Sequence, residues 1–336
     1  MHSITDLRSA YPYPESSLPA YPWMMQSQND LKRVHIIGLG DVGMNAALGL
    51  RIAGEGYVSA IGLYDIDKNL CRRLEIEISQ VLSPLGKAPC PPVVLLHEEE
   101  LFACDIFLFC AAKSVPPVGD EALGDVRMAQ LSSNRQILSR YAKAAADAGF
   151  SGLFGVVSDP LDLLCAEAAK YLHPEQVQGF GLGVMYARAA YYARKHASDT
   201  PPLAFFPEGG RVFGPHGEGL VAVNSIRPDQ YDDEAARALT RDTVGANLSV
   251  RALGYKPYIA PGISSVALTL PEVIAGRWND SARYLNGVFF GARNRLTPAG
   301  TVWECDPLPD PLFARLYESY HTLDKKVRNM DKNDMT

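Results

Sequence analysis

The stretch RVHIIGLGDVG, residues 33–43, limits what this chain can fold into more than any other feature. A short apolar run ends in glycines, and the following NAALGLRIAG reads as a helix closed by Gly54. Gly38-Leu39-Gly40-Asp41-Val42-Gly43 therefore spells G-x-G-x-x-G between an expected strand and an expected helix. A second apolar run, YVSAIGLYDID, carries Asp65 near its end, 22 residues after Gly43. This is the context that a dinucleotide-binding turn requires. The first glycine permits the tight turn, the second lets the backbone approach a pyrophosphate, and the third lets helix and strand pack closely. The helix N-terminus then faces the phosphates. Asp65 would accept hydrogen bonds from both ribose hydroxyls and repel a 2′-phosphate, which favours NAD over NADP. Arg72 and Arg73, a turn or two beyond, temper that preference.

The alternation continues. KNLCRRLEIEISQVL has helical spacing, CDIFLFCAA reads as a buried strand, and a segment from about 125 to 148 reads as a helix ending at Gly149. SGLFGVVSD is a further strand and PLDLLCAEAAKYL a further helix. Strands alternating with helices imply parallel βαβ units. Past residue 180 the pattern loosens. Helices are expected at 183–196, over DDEAARALTRDTVGANLSVRALG and at 309–328, with a strand near 211–214 and antiparallel strands over about 283–304. The expected architecture is α/β: an N-terminal Rossmann parallel sheet with helices on both faces, at 31–180, then an α+β substrate domain with antiparallel strands, at 181–330. Residues 1–30, with three Tyr-Pro steps, cannot form a continuous helix and read as an extended arm, and 331–336 as a polar tail.

A formal net charge of −6 with only short basic clusters argues against nucleic acid as a partner. No apolar run reaches the roughly 18–20 residues of a membrane span, and the first 30 residues lack the apolar core of a secretory signal. The six cysteines form no C-x-x-C pair, so neither a metal site nor a redox motif is expected, and a reduced cytoplasmic setting is.

From about residue 33 to 328 the chain resembles the L-lactate/malate dehydrogenase family. The glycine turn and Asp65 match that family's cofactor site. VVSDPLD, 156–162, resembles its Val-(Ser/Thr)-Asn-Pro-Val-Asp signature. GVMYARAA falls where the family has Leu-Asp-x-x-Arg, and GPHGEG where it has Gly-Glu-His-Gly-Asp. Arg127, seven residues before Asn134, matches the loop arginine and later asparagine of Ser-Arg-x-Asp-Leu-x-x-x-Asn. The resemblance implies His216 as the acid–base residue, Arg188 as the clamp on a substrate carboxylate, and Arg127 as the loop residue that polarises the carbonyl. It also implies Ala111, Asn134 and Ser158 at the cofactor, NAD as that cofactor, a small carboxylate-bearing substrate, and a homodimer or homotetramer. Histidine suits the proton transfer because its reference pKa lies near neutrality, and arginine offers a planar fork to a carboxylate.

Three departures from the pattern bear on function. Met185 stands where the family has the carboxylate that orients the histidine, Pro116 where malate dehydrogenases have a specificity arginine, and Asp159 where the signature has asparagine. Loss of an orienting carboxylate costs roughly 10⁴ in turnover in a serine-protease triad, so either another group orients His216 or the chemistry is different. Asp159 and Glu218 are the two carboxylates able to compensate. Asp159 also has a plain reading, as an N-cap before Pro160, and Glu218 another, as a solvated turn residue. Pro116 argues against a dicarboxylate substrate. The expected function is an NAD(H)-dependent oxidoreductase acting on a 2-oxo/2-hydroxy acid or a related imine. The alternative is a catalytically degenerate NAD-binding scaffold or partner protein. An NAD-dependent glycosidase on a related fold would need a metal-binding Cys/His pair, and Cys165 and His173 do not sit at suitable positions.

Overall fold

Strand β1, Lys32–Ile37, is buried from Val34 to Ile37 and pairs in parallel with β2, Val58–Tyr64, and with β4, Ile106–Phe109. The computed structural model to which these elements belong describes residues 2–8, 30–82, 90–113 and 131–332. The parallel set continues through β3, Val93–Leu95, on the far side of β2, and through β5, Leu153–Val156, and β6, Val177–Gly179, beyond β4. Strands β9, Asn279–Leu285, β10, Val288–Thr297, and β11, Gly300–Trp303, extend the same sheet in antiparallel fashion. The strand order is β11-β10-β9-β6-β5-β4-β1-β2-β3, with Gly179 opposite Ala282 at the junction. The expected antiparallel strands thus continue the parallel sheet.

Burial on both faces explains why β4 reads as an unbroken apolar run. Successive side chains point to opposite faces. Ile106 and Leu108 pack with Val34, Ile36 and helices α1, Asp41–Ala53, and α2, Lys68–Ser79. Phe107 and Phe109 pack with Phe154 and helices α3, Leu131–Asp147, and α4, Leu161–Ala168. The helix expected from about 125 is described from Leu131 onward; its earlier part lies outside the described residues.

Two further cores build the second half. Helix α5, Leu182–His196, packs on α6, Asp233–Arg251, and on the hairpin of β7, Arg211–Phe213, and β8, Val221–Val223. Helix α7, Asp310–Lys332, covers β10 with Leu312, Leu316 and Tyr320. Residues 2–8 join that last core. Ile4 and Leu7 are buried there, His2 stacks on Phe313, and Asn286 donates to the Leu7 carbonyl at 2.8 Å. The part of the expected arm that is described is therefore docked; 9–29 lie outside the described residues. If this segment contributes to stability, Ile4→Val should lower the unfolding free energy by about 0.5–1.5 kcal/mol. Chemical denaturation measures this, and a zero change would mean that the segment is not part of the cooperative unit.

Candidate active site

The glycine turn has the geometry of a phosphate cradle. Gly38 sits at φ +80, and a Cβ there would lie 2.4 Å from the Ala111 backbone. A Cβ on Gly43 would lie 2.0 Å from the Gly38 carbonyl oxygen. Both glycines are thus required by close approach of backbone to backbone. Gly40 differs: nothing lies within 4 Å of the Cβ position, which leaves open space beside the first turn of α1. No side chain caps that helix, and its N-terminal N–H groups, with Asp41 and Val42 in the first turn, border the open space.

Asp65, just past β2, has its carboxylate held across the turn. Oδ2 accepts from the Leu39 amide at 2.7 Å and Oδ1 from the Asp67 amide at 3.0 Å. Each oxygen keeps a lone pair for a further donor. Of the two arginines that tempered the nucleotide preference, Arg73 bonds Glu77 at 2.9 Å and Arg72 is exposed.

The far wall of the cradle leads on to the histidine. Ala111 lies against Gly38, and its carbonyl accepts from Ser158 Oγ at 2.8 Å. Asn134 is fully buried, with Oδ1 accepting from the Lys113 amide at 2.9 Å and Nδ2 donating to the Asp159 carbonyl at 2.7 Å. It braces the two strand ends that carry Ala111 and Ser158. Cys110, beside Gly43, has its thiol pushed up to about 12 by burial, so it stays neutral and serves packing.

His216 lies in the β7–β8 turn. Gly214, Gly217 and Gly219 there all take positive φ, which the glycines allow without strain. The turn is fixed from outside: Gly214 N donates to the Gly291 carbonyl at 2.9 Å, and Ser319 Oγ on α7 donates to the Gly219 carbonyl at 2.6 Å. The His216 amide donates to Asp162 Oδ2 at 2.8 Å. The ring is largely enclosed, with Nδ1 3.0 Å from the Gly181 carbonyl and Nε2 3.8 Å from Asp159 Oδ1. The Gly181 carbonyl thus occupies the Nδ1 side, where the resemblance calls for a carboxylate. A backbone carbonyl can only accept, so Nδ1 carries the hydrogen. Gly181 must be a glycine for this contact, since a Cβ would lie 2.9 Å from Nδ1.

Asp159 is not the cap of α4. Pro160 holds that position without any side-chain cap bond, and the Asp159 carboxylate faces the histidine instead. Glu218 is spent elsewhere: it pairs with Lys326 at 2.7 Å, which holds its carboxyl below the usual range. Met185 is fully buried on α5, and its sulfur lies 3.4 Å from Arg188 Nη1, while Nη2 of the same guanidinium donates to Asn247 Oδ1. Met185 and Arg188, three residues apart, share one face of α5, whose N-cap is Gly181. Arg188 lies about 10 Å along the helix axis from the carbonyl that holds His216. Arg127 and Pro116 lie outside the described residues.

Sequence reasoning missed two residues here, Gly181 and Asp162. Asp162 was in view as the last residue of the SDPLD motif; Gly181, a bare glycine before a helix, carries no chemical signal of its own. Among the described residues no group of His, Cys, Asp and Glu could hold a metal ion, and no helix is long and apolar enough to cross a membrane.

No family model matches the chain. An L-lactate dehydrogenase of Treponema denticola is 27% identical over 212 residues, covering 60% of this chain and 61% of that protein. The match thus spans less than two thirds of that relative's length. A lactate dehydrogenase from a Medee basin deep-sea metagenome library superposes with a TM-score of 0.72 at 20% identity, covering 90% of this chain and 99% of that one. The malate dehydrogenase of Archaeoglobus fulgidus, solved in complex with NADH, superposes with a TM-score of 0.69 at 17% identity, covering 89% and 99%. The structural likenesses establish a shared fold.

Proposed function

We propose that this chain, a low-identity member of the lactate/malate dehydrogenase family, is an NAD(H)-dependent oxidoreductase acting on a 2-oxo/2-hydroxy acid or a related imine, and that malate is not its substrate. One observation carries the reading: an unbroken line of contacts from the phosphate cradle to an oriented histidine. Gly38 meets Ala111, Ala111 accepts from Ser158, and the next residue, Asp159, faces Nε2 of His216. A glycine turn kept for packing alone has no reason to end beside an imidazole whose tautomer is set.

In this reading the open space at Gly40 and the first turn of α1, from Asp41 to Gly43, receive the pyrophosphate. Asp65 takes the ribose hydroxyls, which favours NAD over NADP. When bound, NAD(H) supplies or accepts the hydride. His216 moves the proton at Nε2, the Gly181 carbonyl keeps the ring in place, and Arg188 binds the substrate carboxylate as a fork. For a 2-oxo acid, Arg127 would polarise the carbonyl from its loop. Pro116, where a specificity arginine would be, removes the partner that a second substrate carboxylate would need.

A second reading, a degenerate NAD-binding scaffold, is favoured by Met185, whose buried sulfur stands where a charged partner of the histidine is expected. One experiment separates the two. NADH is titrated by fluorescence, then 2-oxo acids and cyclic imines are added and the loss of dihydronicotinamide absorbance is followed. The oxidoreductase reading expects binding and turnover of at least one carboxylate-bearing compound. Binding without turnover across the panel would leave the scaffold, and no binding would end both.

A further inference from the structure

We propose that Asp159 makes this a site for a zwitterion: the reacting group is an iminium of a 2-amino acid, cyclic or N-substituted, rather than a neutral 2-oxo acid. The inference rests on the oxidoreductase reading above and names the substrate class within it.

The argument begins with what Asp159 can do next to Nε2. Asparagine and aspartate have nearly the same shape, but asparagine brings an N–H₂ donor, whereas an ionised carboxylate only accepts. Reduction of a carbonyl builds negative charge on its oxygen, and that oxygen needs donors around it. A carboxylate whose Oδ1 lies 3.8 Å from Nε2 stands beside that place with the wrong sign and no hydrogen to give. An iminium reverses both requirements. Its N–H is a donor and its charge is positive, so Asp159 can hold it by a charge-assisted hydrogen bond.

The other charges around His216 agree with this. The Asp162 carboxylate accepts from the His216 amide, so a second anion lies close to the ring. On the Nδ1 side lies the neutral Gly181 carbonyl. Glu218 is neutralised by Lys326 on the outer side of the turn. Arg188, further along α5, is the cation for the ligand's own carboxylate. The arrangement offers an anion to the reacting nitrogen and a cation to the carboxylate.

The reaction balances without an added oxidant or reductant beyond the dinucleotide. A hydride from the dihydronicotinamide forms the new C–H bond, and the dinucleotide is oxidised. The C=N π pair becomes the nitrogen lone pair, giving a secondary amine. That lone pair then takes a proton, from His216 Nε2 or from water. Because the iminium begins with the positive charge, the histidine does not have to supply it first, and loss of the family's orienting carboxylate at Met185 is tolerated.

The test is equilibrium binding by calorimetry to the full chain loaded with NADH, where no turnover occurs. Two probes are compared: L-pipecolate, a cyclic secondary ammonium acid, and oxamate, a 2-oxo acid analogue that keeps the carboxylate but has a neutral amide carbonyl in place of the reacting group. Wild-type protein is expected to bind L-pipecolate the more tightly. Asp159→Asn should weaken L-pipecolate by about 10- to 150-fold, the scale of one hydrogen bond to a charged group, and should strengthen oxamate. Asp159→Glu keeps the charge and should retain part of the preference, and far-UV circular dichroism checks that each variant is folded. Oxamate bound as tightly as L-pipecolate by the wild type, or an unchanged L-pipecolate affinity in the folded Asp159→Asn protein, overturns the inference and leaves the oxidoreductase reading intact. Failure of NADH itself to bind, read separately by its fluorescence, removes both.

Discussion

Replacing His216 by glutamine is expected to lower turnover of the best substrate by about 10²- to 10⁴-fold, the usual contribution of a positioned acid–base group, with NADH affinity unchanged. Glutamine keeps a hydrogen-bonding end of similar reach but has no titrating nitrogen. The cradle residues Gly38, Gly43, Ala111 and Ser158 make none of their described contacts through the imidazole, so the dinucleotide site should not register the change. Gly181→Ala provides the companion measurement. Its Cβ would lie 2.9 Å from Nδ1 and 3.0 Å from Cγ of the ring, so the imidazole must shift although its chemistry is intact. Turnover should fall, by less than in His216→Gln, with KM little altered, because Arg188, the proposed carboxylate clamp, keeps its contacts with Met185 and Asn247. Equal turnover in wild type and His216→Gln would show that the proton passes through another group and would falsify the assignment.

The two halves of this prediction differ in how visible they were in the sequence. His216 could be singled out because a histidine in GPHGEG stands at a fixed place relative to the glycine turn and Arg188. The ring's actual partners could not. A backbone carbonyl has no letter in the sequence, and Gly181 becomes relevant only once α5 begins beneath the β7–β8 turn. Asp159 was legible as one of two candidate carboxylates; what decided between them was a contact 57 residues away in the chain, and the salt bridge from Lys326 that occupies Glu218. The same distinction holds for the fold. Parallel strands and covering helices up to about residue 172 follow from apolar runs and helical periodicity, which are local signals. Short strands such as β6 and β8, three residues each, were not legible because their existence depends on the partners that pair with them. The join of β9 to β6 rests on a single registered pair and is a tertiary fact.

Gly43→Ala is expected to damage stability and dinucleotide binding together, and its neighbour Gly40→Ala only the binding. At Gly43 the new methyl would lie 2.0 Å from the Gly38 carbonyl oxygen, with Cys110 Cβ 3.3 Å away. Neither the carbonyl nor the strand that carries it can swing aside as a side-chain tip can, so β1 and α1 must separate. Overpacking of this kind costs about 1–3 kcal/mol, and the same displacement moves the turn off the pyrophosphate, weakening NADH by about tenfold to a hundredfold at 1.4 kcal/mol per decade. At Gly40 the methyl meets no atom within 4 Å, and the residue's φ of −63 suits alanine. The fold should therefore lose no more than about 1 kcal/mol, the scale of a changed N-cap, while the methyl fills the space that the phosphates need. Thermal unfolding without ligand, followed by NADH titration of both variants, reads the two effects separately. A Gly40→Ala protein that binds NADH as well as the wild type would mean that the open space above this turn is not where a dinucleotide sits, and the cradle reading would fall even if Gly43→Ala behaved as expected.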